Sequence, residues 1–489
     1  MTKIFLFFFA SVVLSSCILT ENEHEKPNFI LFIADDMNWN DCGAYGHPFI
    51  RTPNIDKLAS EGMIFSNAFL TTSSCSPSRT SILTGKYPHN TDAEQLHWPL
   101  PEGHLTFIEL LKESGYWTGM AGKYHLGEAV RDHFDVIMEV GTAGFQLGAD
   151  GKQQKMVGDG SGCESWIELF KSRPENIPFI LWLAAVDPHR PYENDIIQNP
   201  HKKEDVIVPP YLPDIDEVRE DLAMYYDEIS RMDRYIGEVI KEVDHQGISD
   251  NTFILFISDN GRPFPRDKTT LYEGGIKTPW IVRWPNRVKP GSKNENLISS
   301  IDIAPTILNL AGIKPPEVFE GIDFTSMLLD SETSIRNEIY AEDHWHDFED
   351  YTRAIRTKEF KYIKNYYPDL PNTPPADAFR SRTYQHMLKL KESNQLNVAQ
   401  SKCFEIPRPE EELYDIINDP NELNNLAELP EYNQQLTEMK KLLEEYRSTT
   451  KDYLPENRTP DDFDRITGLP TIHRVRPRPS KAEMKINSF

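Results

Sequence analysis

Two runs of this chain leave little choice of architecture: Pro27-Asn-Phe-Ile-Leu-Phe-Ile33 and Asn251-Thr-Phe-Ile-Leu-Phe-Ile257. Both are apolar without alternation, so each strand must be covered on both faces, which is the situation of a parallel sheet flanked by helices. Each run then stops at oxygen-bearing side chains, Ala34-Asp35-Asp36 in the first and Ser258-Asp259-Asn260-Gly261 in the second. Adjacent carboxylates at the end of a buried strand repel each other and resist desolvation. Parallel sheets bind ligands at the carboxyl ends of their strands. A hard divalent cation, calcium or magnesium, would relieve both difficulties with oxygen ligands alone. Asp35, Asp36, Asp259 and Asn260 are therefore candidate metal ligands, and a solvated turn is the alternative for the acidic pair.

Between these runs the pattern alternates. Helices are predicted over 54–62, 77–84, 105–114 and 163–172, with strands over 63–69, 116–121 and 178–186. Such alternation specifies an α/β fold with a largely parallel central sheet. In the longest helix Val218, Leu222, Tyr225, Ile229, Met232, Ile236, Val239 and Val243 recur at steps of three and four, and Gly247 offers a stop. That stripe is read as packing against the sheet, without chemistry. A helix over 302–311 closes a first domain of residues 27–335. Beyond it lie strand-like segments at 354–356 and 360–363, a strand and turn in 412–426, and an amphipathic helix over 431–447. Residues 336–489 are thus expected to form a smaller α+β subdomain with an antiparallel sheet, ending in a basic, Pro-rich tail from His473. Within it, Asp343-His344-Trp345-His346 at the junction is placed beside the cleft.

At 489 residues the chain has room for about two domains. Its net charge of −25 argues against nucleic acid or an anionic membrane surface as partner. In so acidic a protein, clustered cations mark a local site for an anion. The N-terminus reads as an export signal: Lys3, an apolar run from Ile4 to Leu14 too short to span a bilayer, then Leu14-Ser-Ser-Cys17. A small-residue site ending in Cys resembles a bacterial lipobox. This gives a lipoprotein signal over 1–16, a lipidated Cys17, a linker over 17–26, and membrane contact through that anchor only. The expected location is the periplasm or cell surface of a bacterium. With Cys17 and Cys75 set aside, Cys42, Cys163 and Cys403 remain, an odd number that allows at most one disulfide among them.

The stretch Cys75-Ser-Pro-Ser-Arg79-Thr-Ser-Ile-Leu83-Thr-Gly85 puts a thiol at the mouth of a Pro-led helix, with a guanidinium one turn on. A helix N-terminus favours an anion there; a buried structural cysteine is the plainer reading. Lys123 and His125 stand two apart after the 116–121 strand, so both can face one pocket. His189, in Asp187-Pro-His189-Arg190, suits proton transfer to a leaving group. Lys268 precedes Tyr272-Glu-Gly-Gly275 by four.

The pattern C-x-P-S-R-x-x-x-L-T-G resembles the signature of the formylglycine-dependent (type I) sulfatases at every fixed position, and Gly-Lys123-x-His125-Leu-Gly resembles their second motif. Asp187-Pro-His-Arg and Ser258-Asp-Asn-Gly-x-Pro-Phe-Pro265 resemble the sulfamidase-like members, heparan N-sulfatases. The resemblance implies an alkaline-phosphatase-like fold. It also implies calcium on Asp35, Asp36, Asp259, Asn260 and side chain 75, and a Cys75 oxidised to 3-oxoalanine by a formylglycine-generating enzyme. The aldehyde hydrate would then attack sulfur, with Asp259 helping to deprotonate it and Arg79 holding it. Lys123 and Lys268 would neutralise the sulfate oxygens. His189 would protonate the departing sugar oxygen, and His125 would take the proton that lets sulfate leave. Lys268 and Tyr-Glu-Gly-Gly follow the O-sulfatases and weaken an N-sulfate assignment. The substrate implied is a sulfated carbohydrate, algal (such as ulvan) or a glycosaminoglycan, with His97, Asp187, Arg190 and His344 as candidate sugar contacts. The rivals are a phosphatase or phosphonate hydrolase, disfavoured by the intact cysteine signature, and a non-catalytic glycan-binding lipoprotein.

Overall fold

The computed structural model describes residues 26–140, 160–475 and 486–488. The export signal, Cys17, the 17–26 linker apart from Lys26, and the tail over 476–485 lie outside the described residues.

Eight strands form the main sheet: β1 (Asn28–Ala34), β2 (Met63–Phe69), β3 (Trp117–Gly122), β4 (Val136–Glu139), β5 (Phe179–Ala184), β6 (Thr252–Ser258), β7 (Trp280–Arg283) and β8 (Ser292–Ser299). Their order is β4-β3-β5-β1-β6-β7-β2-β8, and only β7 runs antiparallel to its neighbours. β1 lies centrally, paired Phe29 to Ile180 on one side and Phe29 to Phe253 on the other. Its run is apolar throughout because alternate residues feed two cores. Ile30 and Phe32 join Ile254, Phe256 and the long helix; Phe29, Leu31 and Ile33 join Phe253, Leu255, Ile82 and Phe107 on the other face. The predicted α/β architecture with its largely parallel sheet is what the chain adopts.

Helices α1 (Pro53–Glu61), α2 (Cys75–Thr84), α3 (Phe107–Glu113), α4 (Trp166–Ser172) and α5 (Asp216–His245) match the sequence pattern to within three residues at most ends. The strands β4, β7 and β8 have no counterpart in the sequence reading: β4 (Val-Ile-Met-Glu) and β7 (Trp-Ile-Val-Arg) offer only three apolar residues each, and β8 opens polar. β4 and β8 are edges with a single neighbour, and Ser-Lys-Asn-Glu-Asn in β8 needs cover on one face only.

A second sheet of β9 (Ile339–Asp343), β10 (Thr352–Arg356), β11 (Phe360–Asn365) and β12 (Glu411–Asp415) is antiparallel throughout, in the order β12-β11-β10-β9. The helix Asn433–Thr450 covers it, with Met439 and Leu443 packed on Tyr340, Ile355, Tyr362 and Leu413. Three short helices, Ala376–Phe379, Arg382–Glu392 and Val398–Ser401, have no counterpart in the sequence reading. Cys42, Cys163 and Cys403 are buried free thiols, so no disulfide forms among them.

His89 ties the loop after α2 to the second sheet. Its Nδ1 lies 2.6 Å from Glu342 Oε2 and its Nε2 3.0 Å from the Thr450 carbonyl. Both partners only accept, so the ring must carry both protons. Burial opposes that charge and Arg353 repels it, but Glu342, aided by Asp452, lifts the pKa from 6.5 to about 8. The folded value is the higher one, so the contribution to stability is complete below pH 6.5 and is lost as pH rises through about 8. His89→Gln is expected to cost about 2 kcal/mol at pH 6 and little at pH 9, read from denaturant unfolding at the two pH values.

Candidate active site

The carboxyl ends of β1, β3, β5 and β6 lie on one edge of the sheet, and the residues that follow them converge there. Asp36 takes a left-handed conformation (φ 74°), which Asp tolerates better than most residues. The turn is held by Met37 N–H donating to Ser258 Oγ (2.9 Å) and Asn38 N–H donating to Tyr225 Oη (3.1 Å). Asp35, Asp36, Cys75 and Asp259 each place a ligand atom within 4.8 Å of the others, and all four are buried. Asn260, next along, donates from Nδ2 to Asp36 Oδ1.

Three cations face these three carboxylates. Arg79 Nε donates to Asp259 Oδ2 at 2.7 Å, and its Nη1 donates to the Lys123 carbonyl at 2.7 Å. Lys123 Nζ donates to Asp35. Lys268 Nζ lies 2.6 and 2.8 Å from the two oxygens of Asp36. Burial alone would raise Asp35, but Lys123, His189 and Arg79 hold it well below the carboxylate range, whereas burial and Asp35 push Asp259 up to about 6.

Cys75 is the first residue of α2, a helix buried along its whole length. The helix N-terminus was expected to favour an anion at this position. Burial outweighs it: the thiol is pushed well above its usual range, with Asp35 and Asp259 opposing the help of Lys123 and Lys268.

His189 and His125 both line a pocket of about 80 Å³ that Cys75, Lys123 and Lys268 also line. His189 Nδ1 lies 2.6 Å from the Arg190 carbonyl, which fixes Nδ1 as a donor, and Nε2 lies 3.9 Å from Asp36 Oδ2 and 3.7 Å from Asp377 Oδ2. His125 Nε2 lies 2.6 Å from His97 Nδ1. Burial, reinforced by His97 and Lys123, lowers His125 well below the normal histidine range, so its ring is neutral.

The candidate sugar contacts divide. His97 lines the pocket. Asp187 and Arg190 do not reach it, and are corrected to structural roles. Asp187 takes 2.9 and 2.6 Å hydrogen bonds from Arg231 of α5, while its carbonyl accepts from Asp35 N–H. Arg190 makes a bidentate pair with Asp221 of α5, both bonds at 2.8 Å. These pairs clamp the His189 loop onto α5, so the helix assigned no chemistry positions two of the strand ends. His344 is likewise corrected. It is buried against Glu342 and Tyr351, and His346 lines the pocket instead, 2.7 Å from Ser74 Oγ. Asp377, Arg380, Phe463 and Arg474 also line the pocket; all come from segments after the second sheet begins, where no periodicity or motif marked them.

The glycines of Tyr272-Glu-Gly-Gly275 are required by close packing. A Cβ on Gly261 would sit 1.8 Å from the Gly274 carbonyl oxygen, and one on Gly274 would sit 1.9 Å from Asp267. Glu273 anchors the same turn to the second sheet through Lys361 (2.9 Å) and Arg356 (3.4 Å).

Comparison with known proteins places the chain among relatives of one family. The sulfatase family model matches residues 27–313, and the one described as N-sulphoglucosamine sulphohydrolase, C-terminal, matches residues 264–372. An ulvan-active sulfatase of Formosa agariphila is 32% identical over 470 residues, covering 88% of this chain and 77% of that protein. The human N-sulphoglucosamine sulphohydrolase is 30% identical over 466 residues, covering 87% and 90%. A protein solved with its substrate D-glucosamine-2-N,6-O-disulfate shares the fold with a TM-score of 0.67 at 22% identity, over 87% of this chain and 98% of that one. The chain belongs to the sulfatase family and is a sulfuric ester hydrolase.

Proposed function

We propose that this protein hydrolyses sulfate esters of a sulfated polysaccharide or its oligosaccharides, an algal polymer such as ulvan or a glycosaminoglycan, using formylglycine made from Cys75 together with calcium. The observation that carries the reading is the burial, at one set of strand ends, of a single cysteine among three carboxylates and three fixed cations. The names of the ulvan-active and N-sulphoglucosamine relatives support a carbohydrate sulfate.

The residues present fit calcium. Asp35, Asp36, Asp259 and Asn260 offer oxygen only, and Asp35 Oδ1 and Asn260 Oδ1 are buried with no hydrogen-bond partner. When bound, calcium supplies a Lewis acid beside the aldehyde hydrate that acts as nucleophile. Arg79 orients Asp259, the carboxylate placed to take a proton from residue 75. With the metal neutralising Asp35 and Asp36, Lys123 and Lys268 are the cations left to face the sulfate oxygens, preorganised where charge builds up. Because Nδ1 of His189 is committed to a carbonyl, a second proton on that ring sits on Nε2 and is delivered to the departing sugar oxygen. His125, neutral and paired with His97, accepts the proton that lets sulfate leave.

This reading needs a formylglycine-generating enzyme as partner. Residues 1–17 further support export as a lipoprotein anchored through Cys17, to the periplasm or cell surface. Hydrolysis of glucosamine N-sulfate is the second reading, supported by the match over residues 264–372 and by the human relative.

Defined sulfated oligosaccharides, with an aryl sulfate and an aryl phosphate beside them, test the assignment. Sulfate and not phosphate is expected. Dialysis against a chelator should abolish release and added calcium should restore it. Release from N-sulfated sugars alone would select the second reading, and release from none of the sulfates would overturn both.

A further inference from the structure

Two histidine rings meet in the catalytic pocket. His97 Nδ1 and His125 Nε2 stand 2.6 Å apart, with the rings tilted by 44°. We propose that His97 is a positioning residue: it holds the His125 imidazole in the orientation and tautomer from which that ring takes a proton from residue 75, and it is not a sugar contact. The inference rests on the sulfatase reading above and deepens it.

An imidazole turns easily about its χ2 torsion, which has only broad preferences. It needs a partner if one nitrogen is to face a particular hydroxyl. Nδ1 of His125 is enclosed and makes no hydrogen bond. Among the described residues, His97 is thus the one hydrogen-bond partner of this ring. The two facing nitrogens share a single hydrogen, so the tautomer of one ring sets that of the other. Once His125 is charged it can only donate, and the His97 nitrogen is in place to accept.

The backbone is built around the pair. His97 and His125 both take left-handed conformations, at φ 64° and 52°, a strain that persists only where the surrounding structure imposes it. His97 N–H donates to Ser76 Oγ at 2.8 Å, beside residue 75 in the chain. Leu100 N–H donates to the Leu126 carbonyl at 3.1 Å. Gly127 admits this close approach, since a Cβ there would sit 2.6 Å from Pro99 Cβ. The loop carrying His97 is fastened both to α2 and to the loop carrying His125.

The pair bears on the second half of the reaction. There the free hydroxyl of residue 75 gives its proton to His125 and its O–H electrons form the aldehyde C=O. The C–O bond to sulfate breaks, and its electron pair leaves on sulfate. The sugar or phenol has already departed in the first half.

An aryl sulfate separates the two halves. Wild type, His97→Ala and His97→Asn are compared as converted, calcium-loaded enzyme; the Asn amide falls near the place of the His Nδ1. For His97→Ala, kcat should fall about ten- to a hundredfold and KM with it, leaving kcat/KM within about threefold of wild type, because the first half is untouched. A stoichiometric burst of phenol should precede the slow steady state. His97→Asn should recover most of kcat. In a Cys75→Ala background, which cannot turn over, calorimetry should find a sulfated disaccharide bound within about threefold as tightly with and without His97→Ala.

Unchanged kcat in His97→Ala would overturn the proposal, and so would kcat/KM falling in step with kcat and no burst. Binding weakened tenfold or more would make His97 a sugar contact instead. A His97→Asn enzyme no better than His97→Ala would also contradict it. If the wild type released neither phenol nor sulfate, the failure would belong to the sulfatase reading.

Discussion

Cys75→Ala is expected to lower sulfate release at least about 10⁴-fold, the scale on which a nucleophile is lost, while the unfolding midpoint changes little. The two halves of that expectation have separate causes. Cys75 Sγ makes one long contact, 3.9 Å to Asp36 Oδ1, and alanine keeps both the helical backbone and most of the buried volume. The ion pairs that hold the pocket together run between other residues: Arg79 with Asp259, Lys268 with Asp36, Lys123 with Asp35. They survive the substitution. What disappears is the only side chain within the carboxylate cluster that can become the attacking group. Calorimetry beside a sulfate-release assay separates the effects. A variant with a tenth of wild-type activity would mean that another group attacks sulfur.

His189→Ala is expected to slow desulfation of a sugar about 10²- to 10⁴-fold, the usual range for a general acid, and to slow an aryl sulfate by less than roughly tenfold. A sugar alkoxide is a strong base that needs its proton as the bond breaks; a nitrophenolate leaves without one. The geometry supports that division of labour. His189 is fixed through Nδ1 to the Arg190 carbonyl, and the Arg190–Asp221 pair holds that loop on α5. Nε2 lies 3.9 Å from Asp36 Oδ2 and 3.7 Å from Asp377 Oδ2, on the wall of the pocket. Equal losses on both substrates would show that His189 binds sulfate and does not protonate the leaving group.

The candidate site was legible in the sequence because polar residues stop apolar runs at the places where a parallel sheet exposes its strand ends. Asp35-Asp36, Lys123, His189 and Asp259-Asn260 each follow a strand of the sheet, and Cys75 opens a helix between two of them. What surrounds the centre was not legible. Asp187 and Arg190 sit beside His189 in the chain, which made them plausible sugar contacts. Arg231 and Asp221 of α5 claim them, and a charged residue placed between apolar positions of a helix does not announce its partner. His344 and His346 are two apart after β9, and only the backbone path decides which reaches the pocket. Asp377, Arg380 and Arg474 lie about a hundred residues or more beyond the last strand-end motif, so their approach is a product of tertiary packing. The same limit applied to Cys75: the helix end favours an anion there, whereas burial, which no motif announces, pushes the thiol well above its usual range.

Peptide mass spectrometry of active protein, produced in a host able to carry out the oxidation, asks the central question directly. The peptide spanning residue 75 is predicted to have the mass of the aldehyde, and hydrazone formation with a carbonyl reagent should label that peptide. Full activity in a sample whose peptide retains an unmodified cysteine would contradict the account.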